Sequence, residues 1–284
     1  MRGIDAETIS GLSPMTALQL LSKCARAVGV KDCAIQVAKR WPFLVRTRLF
    51  NGREMYVDLR SAIGRGVFAT GKFDMATISP ALETLCTGGV FVDVGANIGF
   101  YSILAIDRVG PAGQVICFEI DTRPLRALRR TVKYLQLANV RIEELAVADQ
   151  DGLLHFIPQR EYGHNRVNDR GEGRQVCSVR LDTWIRCHPL PRIDLIKIDV
   201  EGAELAVING AREVIGRYKP LIICEASDKT AASFGTSVAD VVGAFHSLDY
   251  GVEWIQGAWE PTILATPRHR SGNTNEHPDL GRRP

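Results

Sequence analysis

No stretch of the 284 residues approaches the roughly 20 consecutive apolar residues that a membrane-spanning helix needs, so no membrane span is expected. The opening stretch MRGIDAETIS also lacks the apolar core of an export signal. Paired cysteine spacing is missing too. Cys24, Cys33, Cys86, Cys117, Cys177, Cys187 and Cys224 stand singly, none in C-x-x-C spacing and several inside apolar runs. The odd count of seven argues against a disulfide framework and for reduced thiols in a reducing, cytoplasmic setting. Charge of one sign is scarce. A net charge of +3 is too small to point to nucleic acid or a membrane surface. His155, His188 and His246 have no partners at ligand spacing, so no metal is expected. Internal repeats and low-complexity blocks are absent. What remains is a chain with 45% hydrophobic and 24% charged residues, the composition of a packed globular protein, and long enough for one large α/β domain with an appendage.

Ser13-Pro14 opens a helix predicted over 13–29, with the serine as cap and the proline at the first helical position. Residues 43–59, FLVRTRLFNGREMYVDL, read as a hairpin turning at Asn51-Gly52. Residues 1–80 are therefore expected to form an N-terminal cap of helix and hairpin. Past residue 88, apolar runs alternate with helical segments. Strands are predicted at 90–94, 114–120, 140–147, 193–200 and 220–227, and helices at 98–107, 122–137, 202–216 and 236–247. Such alternation implies parallel pairing with right-handed crossovers, and near-continuous apolar strands imply a sheet covered on both faces. The polar interruption at 150–192 is too long for a simple connection. It is expected to carry a β-excursion through LLHFIP and RQVCSVRLDTW and a loop at EYGHNRVNDRGEGR. Residues 250–264 can supply closing strands. The main domain is placed at 81–265, and the segment 266–284 is expected to be unfolded.

The segment VFVDVGANIGFYSI holds the most informative turn. In an open parallel sheet, ligands lie at the carboxyl ends of the strands near the switch in strand order. Gly95, Ala96 and Gly99 let a ligand approach the backbone with little or no side chain in the way. A dinucleotide site would show G-x-G-x-x-G and offer a helix N-terminus to a pyrophosphate. This turn lacks the middle glycine, and Asp93 just before it would repel phosphate. A carboxylate suits a cationic ligand, and S-adenosyl-L-methionine carries an ammonium and a sulfonium but no phosphate. Glu119 ends the next strand about 20 residues on, where a ribose-binding acid stands. The structural alternatives are that Asp93 bonds loop amides and that Glu119 caps the helix starting near Thr122.

The strings VFVDVGANIGFYS, FEID, LAVADQDG, RLDTW, IDLIKIDVEGAELAVINGA and PLIICEAS, in that order over about residues 72–227, resemble the FkbM family of S-adenosylmethionine-dependent methyltransferases. The resemblance implies an α/β, class I methyltransferase fold: a Rossmann-like, seven-stranded, mostly parallel sheet with its last strand antiparallel and helices on both faces. It implies methyl transfer to oxygen on a sugar, lipid, polyketide or other natural-product hydroxyl. It further implies that Asp93, Gly95, Asn97 and Gly99 surround the methionine portion, that Glu119 holds the ribose, and that Ala146-Val147 lies by the adenine. Phe73-Asp74 stands where the family often has an aromatic-Glu pair, so Phe73 joins the candidate cofactor residues.

Hydroxyl methylation calls for alignment, water exclusion and a base within hydrogen-bond reach. Asp199 is the first candidate for a substrate-orienting acid or base, and Glu201, which can instead cap the following helix, the second. Lys197 shares a strand face with Asp199; an internal ion pair with Asp199 or Glu225 is its structural reading. His164, in the loop EYGHNRVND, is a further candidate base. The expected partner is a small hydroxylated acceptor, with no nucleic acid. The N-terminal helix can pack on its own domain or on a second subunit of a homo-oligomer. N- or C-methylation, a catalytically silent cofactor-binding scaffold and a nicotinamide oxidoreductase are the competing readings.

Overall fold

The structure is a computed structural model that describes residues 44–157, 166–168 and 173–268. The helix predicted over 13–29 and His164 lie outside them. The chain enters through an antiparallel hairpin, β1 (Leu44–Arg48) and β2 (Glu54–Asp58), with Leu44 opposite Asp58 and Arg48 opposite Glu54. Its turn places Gly52 at φ +88°, a conformation glycine adopts without strain. Asn51 and Arg53 both hydrogen-bond Asp107, which fastens the hairpin to the main domain. Helices α1 (Ala62–Thr70) and α2 (Met75–Leu82) follow.

The central succession is β3 (Val90–Val94), α3 (Phe100–Val109), β4 (Gln114–Phe118), α4 (Thr122–Tyr134) and β5 (Val140–Glu143). A second, four-stranded sheet then interrupts it: β6 (Ala146–Val147), β7 (Gly152–Ile157), β8 (Arg166–Asn168) and β9 (Arg174–Val179), in the order β6-β9-β7-β8. Next come α5 (Leu181–Cys187), β10 (Leu195–Ile198), α6 (Glu204–Gly210), α7 (Arg212–Tyr218), β11 (Leu221–Glu225) and α8 (Asp228–Ala231). A 3₁₀ turn (Ala232–Phe234), α9 (Val238–Ser247), β12 (Tyr250–Trp254) and β13 (Thr262–Pro267) end the described chain.

The main sheet has seven strands in the order β12-β13-β11-β10-β3-β4-β5. β11, β10, β3, β4 and β5 run parallel, and β13 is antiparallel to both β11 and β12. This is the class I methyltransferase sheet, α/β with the last strand reversed. From β3 the chain winds outward to β5, then returns to the other side of β3 at β10. The switch in strand order therefore opens between β3 and β10.

All five residues of β3 are buried, as a strand covered on both faces requires. One apolar layer joins the hairpin, α1 and α2 to α3 and α4, through residues such as Met55, Ile78, Ile103 and Leu128. The other packs α5, α6, α7 and α9 on the opposite face, through Trp184, Val207, Ile215 and Phe245. Among the described residues, no helix is long and apolar enough to cross a membrane.

Four elements depart from the sequence expectation. The strand predicted over 140–147 breaks after Glu143, and Ala146-Val147 leaves to pair with β9. The segment LDTW is helical, not β. Leu181, Trp184 and Ile185 recur at helical spacing and are buried, while Asp182 accepts from the Val214 amide at 2.9 Å. The helix predicted over 202–216 divides into α6 and α7 at Gly210, whose α-carbon presses on the second sheet. The segment expected to be unfolded from Thr266 begins inside β13.

The contact at Gly210 yields a paired prediction. A Cβ there would lie 1.8 Å from the Ala148 carbonyl oxygen, whereas one at Gly216, exposed in α7, would meet nothing within 4 Å. Gly216→Ala is expected to stabilise the protein by about 0.5–1 kcal/mol through helix propensity. Gly210→Ala is expected to destabilise it by about 1–3 kcal/mol through overpacking. Urea midpoints of the two variants should move in opposite directions.

Candidate functional site

A cavity of about 630 Å³ opens at the carboxyl ends of β3, β4 and β10, the place the strand-order switch marks out. Its floor includes Gly95, Asn97, Glu119, Ala146, Val147 and Asp199. Leu154 and Phe156 of the second sheet and Phe234 of the 3₁₀ turn close it from above. Its rim includes Glu201 and, from α1, Ile63.

The turn after β3 is held by its own amides. Gly95 N and Ala96 N both donate to the Phe118 carbonyl at 3.0 Å. Gly95 sits at φ +79°, and a Cβ on it would stand 1.8 Å from the Asp199 carbonyl oxygen. Any side chain would push the two central strand ends apart. Asn97, at φ +52°, donates its amide to Glu119 Oε2 at 2.8 Å and accepts from Ile98 N on its own side chain. Glu119 Oε1 accepts the Asp121 amide at 2.7 Å. One carboxylate thus pins two loops and still has lone pairs for a ligand. Burial pushes its pKa up to about 7, against the lowering effect of those amides. Helix α4 is capped by Asp121, which accepts from Arg123 N, not by Glu119.

Asp93 lies beneath the turn, not in the cavity lining. It is fully buried. Ser102 Oγ donates to its Oδ2 at 2.5 Å, and its Oδ1 has no hydrogen bond among the described residues. Its cross-strand partner in the register is Lys197, whose Nζ stands 3.9 Å from that Oδ1 and donates to Asp199 Oδ2 at 2.8 Å. Burial works against the Lys197 charge, but Asp199 and Asp93 outweigh it and its pKa is raised. The ring of Tyr101 covers the ammonium at 5.1 Å.

Asp199, Glu201 and Glu225 converge, one oxygen of each lying within 4.8 Å of the others. They could hold a divalent cation, although the Lys197 ammonium already neutralises part of their charge from within the protein. Burial, then Asp199, pushes the Glu225 carboxyl far above its usual range. It shares a hydrogen bond with Asp199. Burial and the neighbouring acids push Glu201 up to about 9. Glu201 also sits at φ +59°, a left-handed conformation uncommon for a side-chain-bearing residue. Glu204 stabilises that turn by accepting the Val200 and Gly202 amides at 3.2 and 3.0 Å.

The structure thus gathers Gly95, Asn97, Glu119, Ala146, Val147, Asp199 and Glu201 around one cavity. Ala96 is buried in the turn, and Gly99, at φ +80°, packs on Leu128 at the start of α3. Phe73 is set apart from the lining, against Phe100 and Trp259. Sequence reasoning missed Glu204, whose signal is an acid in the first turn of a helix, and the cover formed by Leu154 and Phe156, whose signal is only their alternation.

The sequence matches the Methyltransferase FkbM domain over residues 93–252. It is 31% identical over 159 residues to the 2-O-methyltransferase NoeI of Sinorhizobium fredii, an overlap of 49% of this chain and 64% of that protein. It is 28% identical over 178 residues to the 31-O-demethyl-FK506 methyltransferase FkbM of Streptomyces tacrolimicus, an overlap of 51% and 68%. A solved structure, the methyltransferase FkbM of Methylobacillus flagellatus, superposes with a TM-score of 0.48 at 15% identity, covering 88% of this chain and 58% of that one. The match to NoeI therefore spans less than two thirds of that relative. The domain match, by contrast, takes in more than half of this chain and every residue lining the cavity except Ile63: the chain belongs to the FkbM methyltransferase family.

Proposed function

We propose that the protein is an S-adenosyl-L-methionine-dependent O-methyltransferase acting on a hydroxyl of a small-molecule acceptor. The observation that carries this reading is the polarity of the cavity. One end offers a bare backbone turn and the Glu119 carboxylate, and the other a group of acids around Lys197. The first end fits the cofactor. Gly95 and Asn97 bring a main-chain turn to the cavity wall, Glu119 has capacity to accept ribose hydroxyls, and Ala146 and Val147 leave room for a flat base. The names of the two relatives, a 2-O-methyltransferase and a 31-O-demethyl-FK506 methyltransferase, support oxygen as the acceptor atom.

When bound, the cofactor supplies a methyl group activated by a positively charged sulfur. Gly95, Asn97 and Glu119 would hold it, and transfer of its methyl to the acceptor oxygen would leave the electron pair of the broken carbon–sulfur bond on sulfur. The protein's part is to position the acceptor, exclude water and take the hydroxyl proton. Asp199 is the base in this reading, oriented by Lys197 on one side and by the Glu225 carboxyl group on the other. A protonated Glu201 donates a hydrogen bond that orients the acceptor. His164 is the competing base. Residues 81–265 act as the catalytic unit and 1–80 as its cap, in keeping with the Ile63 contribution to the cavity. A cytoplasmic setting accords with the free thiols of Cys86, Cys117, Cys177, Cys187 and Cys224.

Calorimetry is expected to show S-adenosylhomocysteine binding and no comparable binding of NAD; the reverse would overturn the cofactor. Asp199→Asn should lower kcat by about 10²–10⁴-fold, the usual worth of a general base, with S-adenosylhomocysteine affinity little changed. Undiminished turnover would remove Asp199 from the mechanism, and a comparable loss in His164→Gln alone would transfer the role there. The pH dependence of binding tests Glu119. With its free-protein pKa at about 7, the carboxyl gains a proton as pH falls through that value and stops accepting ribose hydroxyls. S-adenosylhomocysteine affinity should therefore weaken about tenfold per pH unit below 7. Glu119→Gln should bind more weakly at pH 8 and show a flat profile over the same range.

A further inference from the structure

Helix α6 runs along one side of the cavity. Its first residue, Glu204, holds the turn beside the acids through the Val200 and Gly202 amides. Its last, Gly210, lies against the end of β6: a Cβ there would stand 1.8 Å from the Ala148 carbonyl oxygen and 3.3 Å from the Asp149 α-carbon. Between them, Leu205, Ala206 and Asn209 contribute to the lining, at the i, i+1, i+4 spacing of one helical face. Asn209 stands five residues beyond Glu204, about 7.5 Å further along the axis. It therefore belongs to the end that Ala146, Val147, Ala148 and Asp149 line, not to the acid group.

The walls of that end are largely apolar. Ala146 clusters with Phe156, Leu154 and Ile120, and Val147 with Val207 and Ile208 of α6. Such walls suit a flat ring but cannot tell one purine from another. Polar side chains elsewhere in the lining are committed to the protein. Asn97 accepts from Ile98 N, Glu119 from the Asn97 and Asp121 amides, and Asp199 from Lys197. Asn209 differs. Asp149 beside it is exposed, whereas Asn209 is partly buried, and its side chain makes no hydrogen bond among the described residues. A primary amide has two donors and an acceptor oxygen with two lone pairs, and withdrawing it from water without a partner is costly.

We propose that Asn209 reads the edge of the cofactor's adenine, accepting from the 6-amino group and donating to an adjacent ring nitrogen. This rests on the S-adenosyl-L-methionine reading and deepens it. An asparagine amide meets that pair of groups on adenine with two hydrogen bonds. The apolar walls supply the stacking, and the amide supplies the selection, because a site with a hydrogen bond to make disfavours the analogue that cannot make it. Asn209 is thus a specificity-determining residue for the base, carried by the same short helix whose first residue holds the turn at the acids.

The test is calorimetry on the full chain with two ligands: S-adenosylhomocysteine and its 6-deamino analogue, in which purine riboside replaces adenosine. The wild-type chain should bind the analogue about tenfold more weakly, the usual worth of one net hydrogen bond. Asn209→Leu should weaken S-adenosylhomocysteine by about tenfold and bring the two ligands to nearly equal affinity. Asn209→Ala, which opens space where leucine fills it, should reach the same near-equality. Equal binding of both ligands by the wild-type chain would overturn the assignment. So would a preference for S-adenosylhomocysteine that survives in both variants, because Asn209 would then act on the fold and not on the amino group. In either case the cofactor reading stands. Failure of the wild-type chain to bind S-adenosylhomocysteine at all would instead remove that reading, and the role of Asn209 with it.

Discussion

The ammonium of Lys197 stands in the middle of the sheet, between Asp93 on the neighbouring strand and Asp199 two residues further along its own. A lysine so deeply buried is costly unless its charge is met, and here two carboxylates meet it. The consequence runs in both directions. Without the cation, Asp93 would be an uncompensated charge in the core, since only Ser102 bonds it. Without the acids, the ammonium would have no partner where β3 and β10 lie side by side. The pair joins the strand ends between which the cavity opens, and the approach of Gly95 to the Asp199 carbonyl locks the same joint through the backbone. The Gly95–Glu119 end and the acid end of the cavity are consequently joined through the same pair of strands.

Environment divides the labour among otherwise similar acids. Asp93 is buried and serves as a counter-ion. Glu119 is half-buried and fastened by two amides, with its remaining lone pairs toward the cavity. Glu225 and Glu201 are driven toward their protonated forms by burial and by neighbouring charge. Asp199 is the member that receives the lysine hydrogen bond. Carboxyl groups whose surroundings separate their protonation can act as donor, acceptor and base at a single pH, and the separation here comes from one cation placed asymmetrically among them.

Much of this was legible in the sequence, and the exceptions have physical causes. The run VFVDV declared a strand covered on both faces, and the alternation that followed declared the parallel sheet. Gly95 and Glu119 were legible because a turn without side chains followed by an acid one strand later has few other uses. Asp93 was not legible in the same way. Sequence places it next to the turn, but only the register, which sets it opposite Lys197, shows that it turns inward to a lysine rather than outward to a ligand. The division of α6 from α7 falls at Ala211, next to the close approach of Gly210 to Ala148, a contact between segments about 60 residues apart that local propensity cannot report. The same limit explains LDTW: alternation in the preceding strand suggested more strand, while the burial of Trp184 against the sheet made it a helix. Trp259 and Asp74 are distant in sequence, so their hydrogen bond leaves no local pattern at all.

The covers of the cavity differ in kind from its floor. The floor is made from the ends of the parallel strands, where backbone amides and carboxyl groups are set by the register. The lining from the inserted sheet is apolar, Leu154 and Phe156 packing with Ala146 and Ile120. The loop 255–261, between the antiparallel strands β12 and β13, is not part of that lining. A loop of this kind can change its side chains without disturbing the strands that flank it, because its anchors are the Trp259 amide and the Pro261 carbonyl, both main-chain groups. The side chains of that loop can therefore vary while the lysine-centred joint stays fixed.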